Sequence, residues 1–189
     1  MVMEKTLVLL KPDTLQRNLV GKIISRIEDI GLKILAMKMV LADEKKAIEH
    51  YPLDEEWAKN VFEKTKKAYE KEGKVIEHKN HIELGKSIQK WLSNFITEGP
   101  IVAMVVEGPH AIELVRKIVG STEPRQALPG TIRGDFASTE SYSVADSNKR
   151  VLRNLIHASD SPENAQREIK VWFTDAEIHS YKKDLDKHY

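Results

Sequence analysis

Cysteine is absent from this chain of 189 residues, which removes disulfides, thiolate metal sites and thiol catalysis together and fits a reducing compartment. Net charge is nearly absent as well. Thirty basic against 29 acidic side chains leave +1, so no global field draws the chain to nucleic acid or to anionic lipid. Any anion it binds must meet a local cluster of cations. Long apolar runs are missing: Leu7 to Leu10 is far too short for a secretory segment or a membrane span, and no longer run follows, so a cytoplasmic location without membrane contact is expected. Internal repeats and low-complexity tracts are lacking too. Chemistry must therefore come from histidine, carboxylates, hydroxyls and cations.

What is present suits one soluble globular domain, 1–189, with 41% hydrophobic and 31% charged residues. Thr6 to Leu10 reads as a strand buried on both faces, punctuated by Lys11-Pro12-Asp13, which leaves Lys11 at the strand's end. Val20, Ile23, Ile24, Ile27 and Ile30 keep helical spacing up to a stop at Gly31. Leu32 to Leu41 alternates as a second strand, and Asp43 is placed to cap a short helix reaching His50 and Tyr51. From Pro52 to Lys86 the chain becomes dense in Lys and Glu around a thin stripe of Trp57, Val61 and Ala68 or Tyr69, a solvated helical insertion.

A firm helical stripe returns with Ile88, Trp91, Leu92, Phe95 and Ile96 and closes at Gly99-Pro100. Ile101 to Val106 is a third strand, and Gly108-Pro109 is expected to open a helix with Arg116 near its C-terminal end. The segment from Gly120 to Asp135, rich in Pro, Gly, Thr and Arg, reads as a functional or interface loop. A polar stretch leads to Val151-Leu152-Arg153 and a fourth strand. Ser161-Pro162-Glu163 starts a helix whose buried stripe is Ala165, Ile169, Trp172 and Phe173, with Glu168 at its border; Asp175 to Tyr181 suggests a last short helix before a frayed, charged tail. This order is compatible with a ferredoxin-like α/β (α+β) sandwich, a four-stranded antiparallel sheet with the first and third strands central and helices over one face.

The focal string is Asn154-Leu155-Ile156-His157-Ala158-Ser159-Asp160, in which an apolar couplet delivers a histidine to a strand's exposed end. Imidazole is unprotonated near neutral pH and forms a reactive phosphoramidate, so it suits phosphoryl transfer. Its ring must be held in one orientation by a carboxylate on the nitrogen opposite the reacting one; Glu168 is the candidate, with Ser159 able to link the pair. Transfer is mostly positioning and charge stabilisation, and Lys11, Arg116 and Arg133, with the hydroxyl of Thr122, are offered from a strand end, a helix end and a loop.

The His157 string resembles the signature of the nucleoside diphosphate kinases, and Lys11-Pro12-Asp13, Gly120-x-Thr122-x-Pro124, Pro129 to Asp135 and Glu168 are similar to further motifs of that family in the expected order. The resemblance spans the chain except for the insertion at 52–86 and the tail. It implies that His157 carries the phosphate between nucleoside triphosphate and diphosphate in a ping-pong route. It further implies that Lys11, Arg116, Thr122 and Arg133 contact phosphates, that Asn154 reaches the sugar and that Tyr51 lines the pocket. Mg²⁺ would bridge the phosphates, with Asp160 at most a water-mediated neighbour. The base would stack on Val151, opposite a position commonly phenylalanine in the family and here Ile88. With no dedicated base-reading polar set, broad base use is expected. Homo-oligomers, hexamers or tetramers, are implied, with the loop from Pro124 to Gly130 at subunit contacts.

Each of these residues also has an ordinary reading. His157 alone could be a core histidine, Glu168 a surface acid facing Arg167 or Lys170, and Arg116 and Arg133 interface partners; together they favour an active site. Gly85-Lys86-Ser87 is rejected as a phosphate loop, because Asn80 stands where its first glycine belongs and no buried strand precedes it. His78 and His81, among Glu77 and Glu83, are read as chance spacing in a charged insertion rather than a metal site. A nucleotide-sensing or scaffolding oligomer with little turnover is the alternative function.

Overall fold

A computed structural model describes residues 3–71, 73 and 75–184, with the side chains at 68 and 71 excepted. Its centre is β1 (Met3–Leu10), whose residues Leu7 to Leu10 are all fully buried. Successive side chains of a strand point to opposite faces, so burying four in a row requires cover on both sides. Val8 and Leu10 pack with Ile23 and Ile27 of α2 (Val20–Asp29) and with Val115 and Val119 of α6 (Ala111–Val119). Leu7 and Leu9 face a second cluster containing Ala47 of α3 (Glu44–His50), Ile96 of α5 (His81–Thr97) and Ile169 and Trp172 of α9 (Pro162–Trp172). Helices thus lie on both faces, which corrects the expectation of one.

The sheet contains β2 (Lys33–Val40), β3 (Ile101–Pro109) and β4 (Ile156–Ala158) in the order β2-β3-β1-β4, every pairing antiparallel. With β1 and β3 central and α2 and α6 as crossovers, it is the ferredoxin-like sandwich. Asp43 caps α3 by accepting from Lys46 N at 2.8 Å, and Ser161 caps α9 by accepting from Asn164 N at 3.1 Å, with Pro162 in the first turn. Each polar cap satisfies an amide that the helix itself leaves unpaired.

Four local expectations are corrected. Pro12 does not merely end the strand; its fixed φ opens α1 (Pro12–Gln16) directly after Lys11. Gly108 and Pro109 still belong to β3, and the next helix begins at Ala111 after His110 turns the chain at φ 53. The segment around residues 120–150 holds α7 (Ile132–Phe136), capped by Thr131, and α8 (Tyr142–Ser147), capped by Ser141. Asp175–Glu177 is a single 3-10 turn rather than a helix to Tyr181, and the tail from 185 onward lies outside the described residues.

α4 (Glu55–Lys71) packs against α5, bringing Ala58 so close to Gly85 that a Cβ there would stand 3.2 Å from the alanine's own and 2.9 Å from Leu53 Cδ1. Trp57, Val61 and Tyr69 are half-buried, as a thin stripe should be, while the Ala68 side chain is not among those described. Gly85-Lys86-Ser87 lies inside α5, so its amides are committed to the helix and cannot cradle a phosphate. His81 binds Glu55 at 2.8 Å and His78 binds Ser87 at 3.2 Å, and the two histidines join no metal-ligand cluster among the described residues. Gln89 of α5 donates to the Tyr51 carbonyl at 2.6 Å, tying this helix pair to the residues beside His157. No described helix is long and apolar enough to cross a membrane.

Candidate active site

His157 is presented by a kink rather than by a long strand. Leu155 adopts φ 69, and Ile156 N donates to Asn154 O at 2.8 Å, closing a γ-turn of the rare positive-φ kind. Such a conformation costs a branched residue about 1–3 kcal/mol and persists where its surroundings over-determine it. Here Leu155 N donates to Asp13 Oδ2 at 3.0 Å, and its carbonyl accepts from Lys11 N at 2.8 Å and from Thr14 Oγ1 at 2.6 Å. The Leu155 side chain is meanwhile fully buried in the core. Beyond the kink, Ile156, His157 and Ala158 pair with Leu10, Leu9 and Val8.

Glu168, which the sequence places at the border of the α9 stripe, is in fact 5% exposed. Its Oε2 accepts from His157 Nε2 at 2.8 Å and from Ser159 Oγ at 2.7 Å, while Arg167 Nη2 approaches Oε1 at 3.3 Å. Ser159 Oγ in turn accepts from Leu7 N at 3.3 Å, so the carboxylate is referenced to the central strand. A carboxylate accepts only, so Nε2 carries the proton and the lone pair of the neutral ring is on Nδ1. The ring is fixed in orientation and tautomer.

Two expected cations converge beside it. Lys11 is 6% exposed, and its Nζ donates to Asn154 Oδ1 at 2.8 Å. Burial, and then the charge of Arg133, bring the Lys11 amine down to about 7, with Asp13 opposing. Arg133 is buried and donates to four backbone carbonyls: Asn154 at 3.1 Å, Gly120 at 3.0 Å, Ser121 at 3.1 Å and Ile156 at 2.6 Å. Burial first, and Arg116 second, lower its pKa to about 10. Asn154 Nδ2 donates to the Thr122 carbonyl at 2.9 Å, joining the same loop to the kink. Both Asn154 and Arg133 therefore brace the site in addition to any contact with a ligand.

Arg116 stands on the exposed face of α6, near enough to Arg133 to affect its charge, and Thr122 is exposed on the loop. The Tyr51 ring lies 6.3 Å from the His157 ring, and burial raises its hydroxyl pKa so that it stays a neutral donor. Ile88 and Val151 are each half-buried, on α5 and on the segment before β4. Asp160 is exposed, and its Oδ1 accepts from Asn164 Nδ2 at 2.7 Å.

The sequence reading places His50 at the end of the helix capped by Asp43 but does not assign it to the site. Its ring meets that of His157 edge to face at 4.6 Å, and Trp172 Nε1 donates to its Nδ1 at 3.2 Å. Burial holds its pKa well below the usual histidine value. His50, His157 and Glu168 offer ligand atoms within 4.8 Å of one another, a spacing that could suggest a metal centre. The indole N–H only donates, so the lone pair of neutral His50 is spent on it and Nε2 bears the hydrogen. This cluster is built for ring packing rather than ligation.

A fixed histidine with buried cations bonded to the residues just before it, in this fold, is an arrangement suited to a phosphoryl-handling enzyme of the α/β sandwich class. The chain belongs to the nucleoside diphosphate kinase family: the family model, "Nucleoside diphosphate kinase", matches residues 4–88 and 77–178, two pieces that overlap where α5 begins. A curated nucleoside diphosphate kinase of Pyrobaculum aerophilum is 48% identical over 94% of this chain and 99% of its own length. The crystal structure of an NDP kinase from that organism covers 95% of this chain and 100% of its own, with TM-score 0.90 and 45% identity. A transition-state mimic of the Borrelia burgdorferi nucleoside-diphosphate kinase, with bound vanadate and ADP, has TM-score 0.82 and 38% identity over 100% of this chain and 98% of its own. The protein is accordingly a nucleotide phosphotransferase.

Two outcomes follow from the geometry. Asp13→Ala leaves the buried Leu155 N–H unpaired and should lower stability by about 1–3 kcal/mol, read as a shift of the urea midpoint; an unchanged midpoint would show that the kink stands without it. Lys11, lowered from 10.5 to about 7, is largely neutral in the free protein at pH 8, and phosphates should draw a proton onto it. Without ligand, this group adds stability as pH rises from about 7 to 10.5, the window in which the unfolded chain holds the proton and the folded one does not. Calorimetry of ADP binding at pH 8 in buffers of different ionisation enthalpy should report net proton uptake that disappears in Lys11→Met.

Proposed function

We propose that His157 Nδ1 attacks the terminal phosphorus of a nucleoside triphosphate, breaking its bond to the bridging oxygen and releasing the diphosphate. A second diphosphate then takes the phosphoryl group from the nitrogen by the reverse displacement. The observation that carries this reading is the double grip of Glu168 on His157 Nε2 and Ser159 Oγ, at 2.8 and 2.7 Å, which leaves Nδ1 as the nucleophile. As the N–P bond forms, the ring gains positive charge, and the carboxylate on Nε2–H stabilises it. Lys11, Arg116 and Arg133, with the Thr122 hydroxyl, offset the charge on the transferring oxygens. Asn154 is assigned to the sugar, Tyr51 to the pocket wall, and Val151 and Ile88 to the two faces of the base.

Mg²⁺ enters on the nucleotide phosphates as part of the substrate. Oxygen ligands suit it, and the described residues offer no cage of them: Asp160, already bonded to Asn164, reaches it through water at most. The bound ADP of the Borrelia relative supports nucleotides as the ligands of this chain. Base use is broad, because stacking tolerates every base. The chain forms one domain with 52–86 as a helical insertion, works in the cytoplasm, and has no nucleic-acid or membrane partner.

A homo-oligomer, hexamer or tetramer, is supported by the edge strand β2, where Met37, Met39 and, just past the strand, Leu41 stand at 55%, 66% and 66% exposure. Sedimentation should show an assembly that Met39→Lys weakens; a monomeric wild type would refute this part.

To test the transfer, the protein is mixed with ATP labelled on its terminal phosphate. Acid-labile, base-stable label should enter the wild type, be absent from His157→Gly, and leave on GDP, CDP or UDP alike. Glu168→Gln should lower the transfer rate by about 10- to 100-fold at similar nucleotide affinity. Nucleotide binding without label would favour the sensing or scaffolding alternative.

A further inference from the structure

A buried ammonium group needs more than one acceptor, because it carries three donors and has lost its water. Lys11 Nζ reaches Asn154 Oδ1 at 2.8 Å, and the ring of Phe95 also faces it, its centroid 5.5 Å away. Phe95 is itself buried, in α5. A second cation shares that ring: Arg153 Cζ stands 4.5 Å from the centroid. Arg153 is clasped by Glu98, with both terminal nitrogens on the carboxylate and Nη2 at 2.8 Å from Oε2. Gln16 Nε2 also donates to Glu98, at 3.4 Å.

We propose that Phe95, braced by the Arg153–Glu98 pair, is a positioning residue that favours the charged form of the Lys11 amine and holds it toward the nucleotide phosphates. The proposal rests on the phosphate-binding role of Lys11 given above. An aromatic face attracts a cation electrostatically, most strongly where water is excluded. Two cations on one ring compete for the same electrons. The Glu98 carboxylate offsets the charge of Arg153 and so leaves the ring more available to Lys11. The other charged or titratable groups around the amine divide: Asp13 on α1 favours its charge, Arg133 on α7 opposes it, and His50 on α3 is held neutral by burial. Phe95 therefore acts on a group close to balance, where a small interaction changes the fraction charged at neutral pH.

The test compares Phe95→Leu, which keeps apolar volume but removes the ring, with Phe95→Tyr, which retains it. Lysine side-chain amines are titrated by nitrogen NMR in nucleotide-free protein, with the Lys11 signal assigned by its loss in Lys11→Met. In Phe95→Leu the Lys11 midpoint should fall by about one pH unit, and nucleotide affinity at pH 7 should weaken about fivefold. At pH 5 the amine is charged in both proteins and the difference should close, which a packing defect would not do. Phe95→Tyr should follow the wild type, and Glu98→Gln should move the midpoint in the same direction by less. An unmoved midpoint in Phe95→Leu overturns the proposal, whatever happens to stability or turnover. The titration needs no catalysis, so it stays separate from the labelling result: a shifted midpoint in a protein that accepts no label would overturn the transfer reading while leaving the ring's hold on Lys11 in place.

Discussion

The constraint on which this site depends is the γ-turn at Leu155. A leucine at φ 69 is unfavourable, and it is kept there by an acceptor on its amide, two donors on its carbonyl and a fully buried side chain. Three of those partners, Lys11, Asp13 and Thr14, stand at the end of β1 and the start of α1. The lysine that reaches the site and the backbone that aims the histidine are thus positioned by one hydrogen-bonded knot. Displacing α1 would move the backbone before His157 and the Lys11 amine together. This coupling explains why Pro12 opens a helix: a short turn of helix returns Asp13 and Thr14 to the kink, which a strand continuing past Lys11 could not do.

The electrostatics of the free protein point the same way. Lys11 and Arg133 are both buried beside each other, and burial depresses both pKa values, Lys11 to about 7 and Arg133 to about 10. Arg133 tolerates this by donating to four carbonyls, whose dipoles replace water without cancelling its charge. A site with uncompensated positive charge is less stable empty than filled, and an anion that supplies the missing charge gains what folding gave up. Neutral Tyr51 and His50 line the wall next to His157 without adding charge of either sign. The positive groups are thus gathered locally, in a protein whose formal charge is only +1.

Much of this was legible in the sequence, for identifiable reasons. The run Leu7 to Leu10 could be burying both faces only in a central strand, and Asp43 and Ser161-Pro162 marked helix starts because capping chemistry is local. The partners of His157 were legible because fixing an imidazole calls for a carboxylate and Glu168 sat on a helix that could return. What stayed hidden is non-local. His50 gives no pattern signal, since a buried histidine is recognised by what packs on it, here Trp172 far along the chain. The positive φ of Leu155 is invisible because leucine gives no hint of it. Periodicity could not show that helices cover both faces, and α8 was missed because a six-residue helix with little apolar stripe resembles a polar loop.

The helix pair α4 and α5 meets the site from a direction the family motifs do not describe. It is joined to the Tyr51 backbone by Gln89, and the same helix, α5, carries Phe95 two turns later, under Lys11 and Arg153. One rigid helix thus touches the aromatic wall beside His157 and the ring beneath the buried amine. Glu98, just past its end, anchors the arginine that shares this ring. A shift of α5 along its axis would alter the surroundings of Tyr51 and of Lys11 at once, and α4 packs against that helix around Gly85. α4, through α5, is therefore mechanically in series with Tyr51 and Phe95, whereas the Glu168–His157 bond is anchored independently through Ser159 to β1.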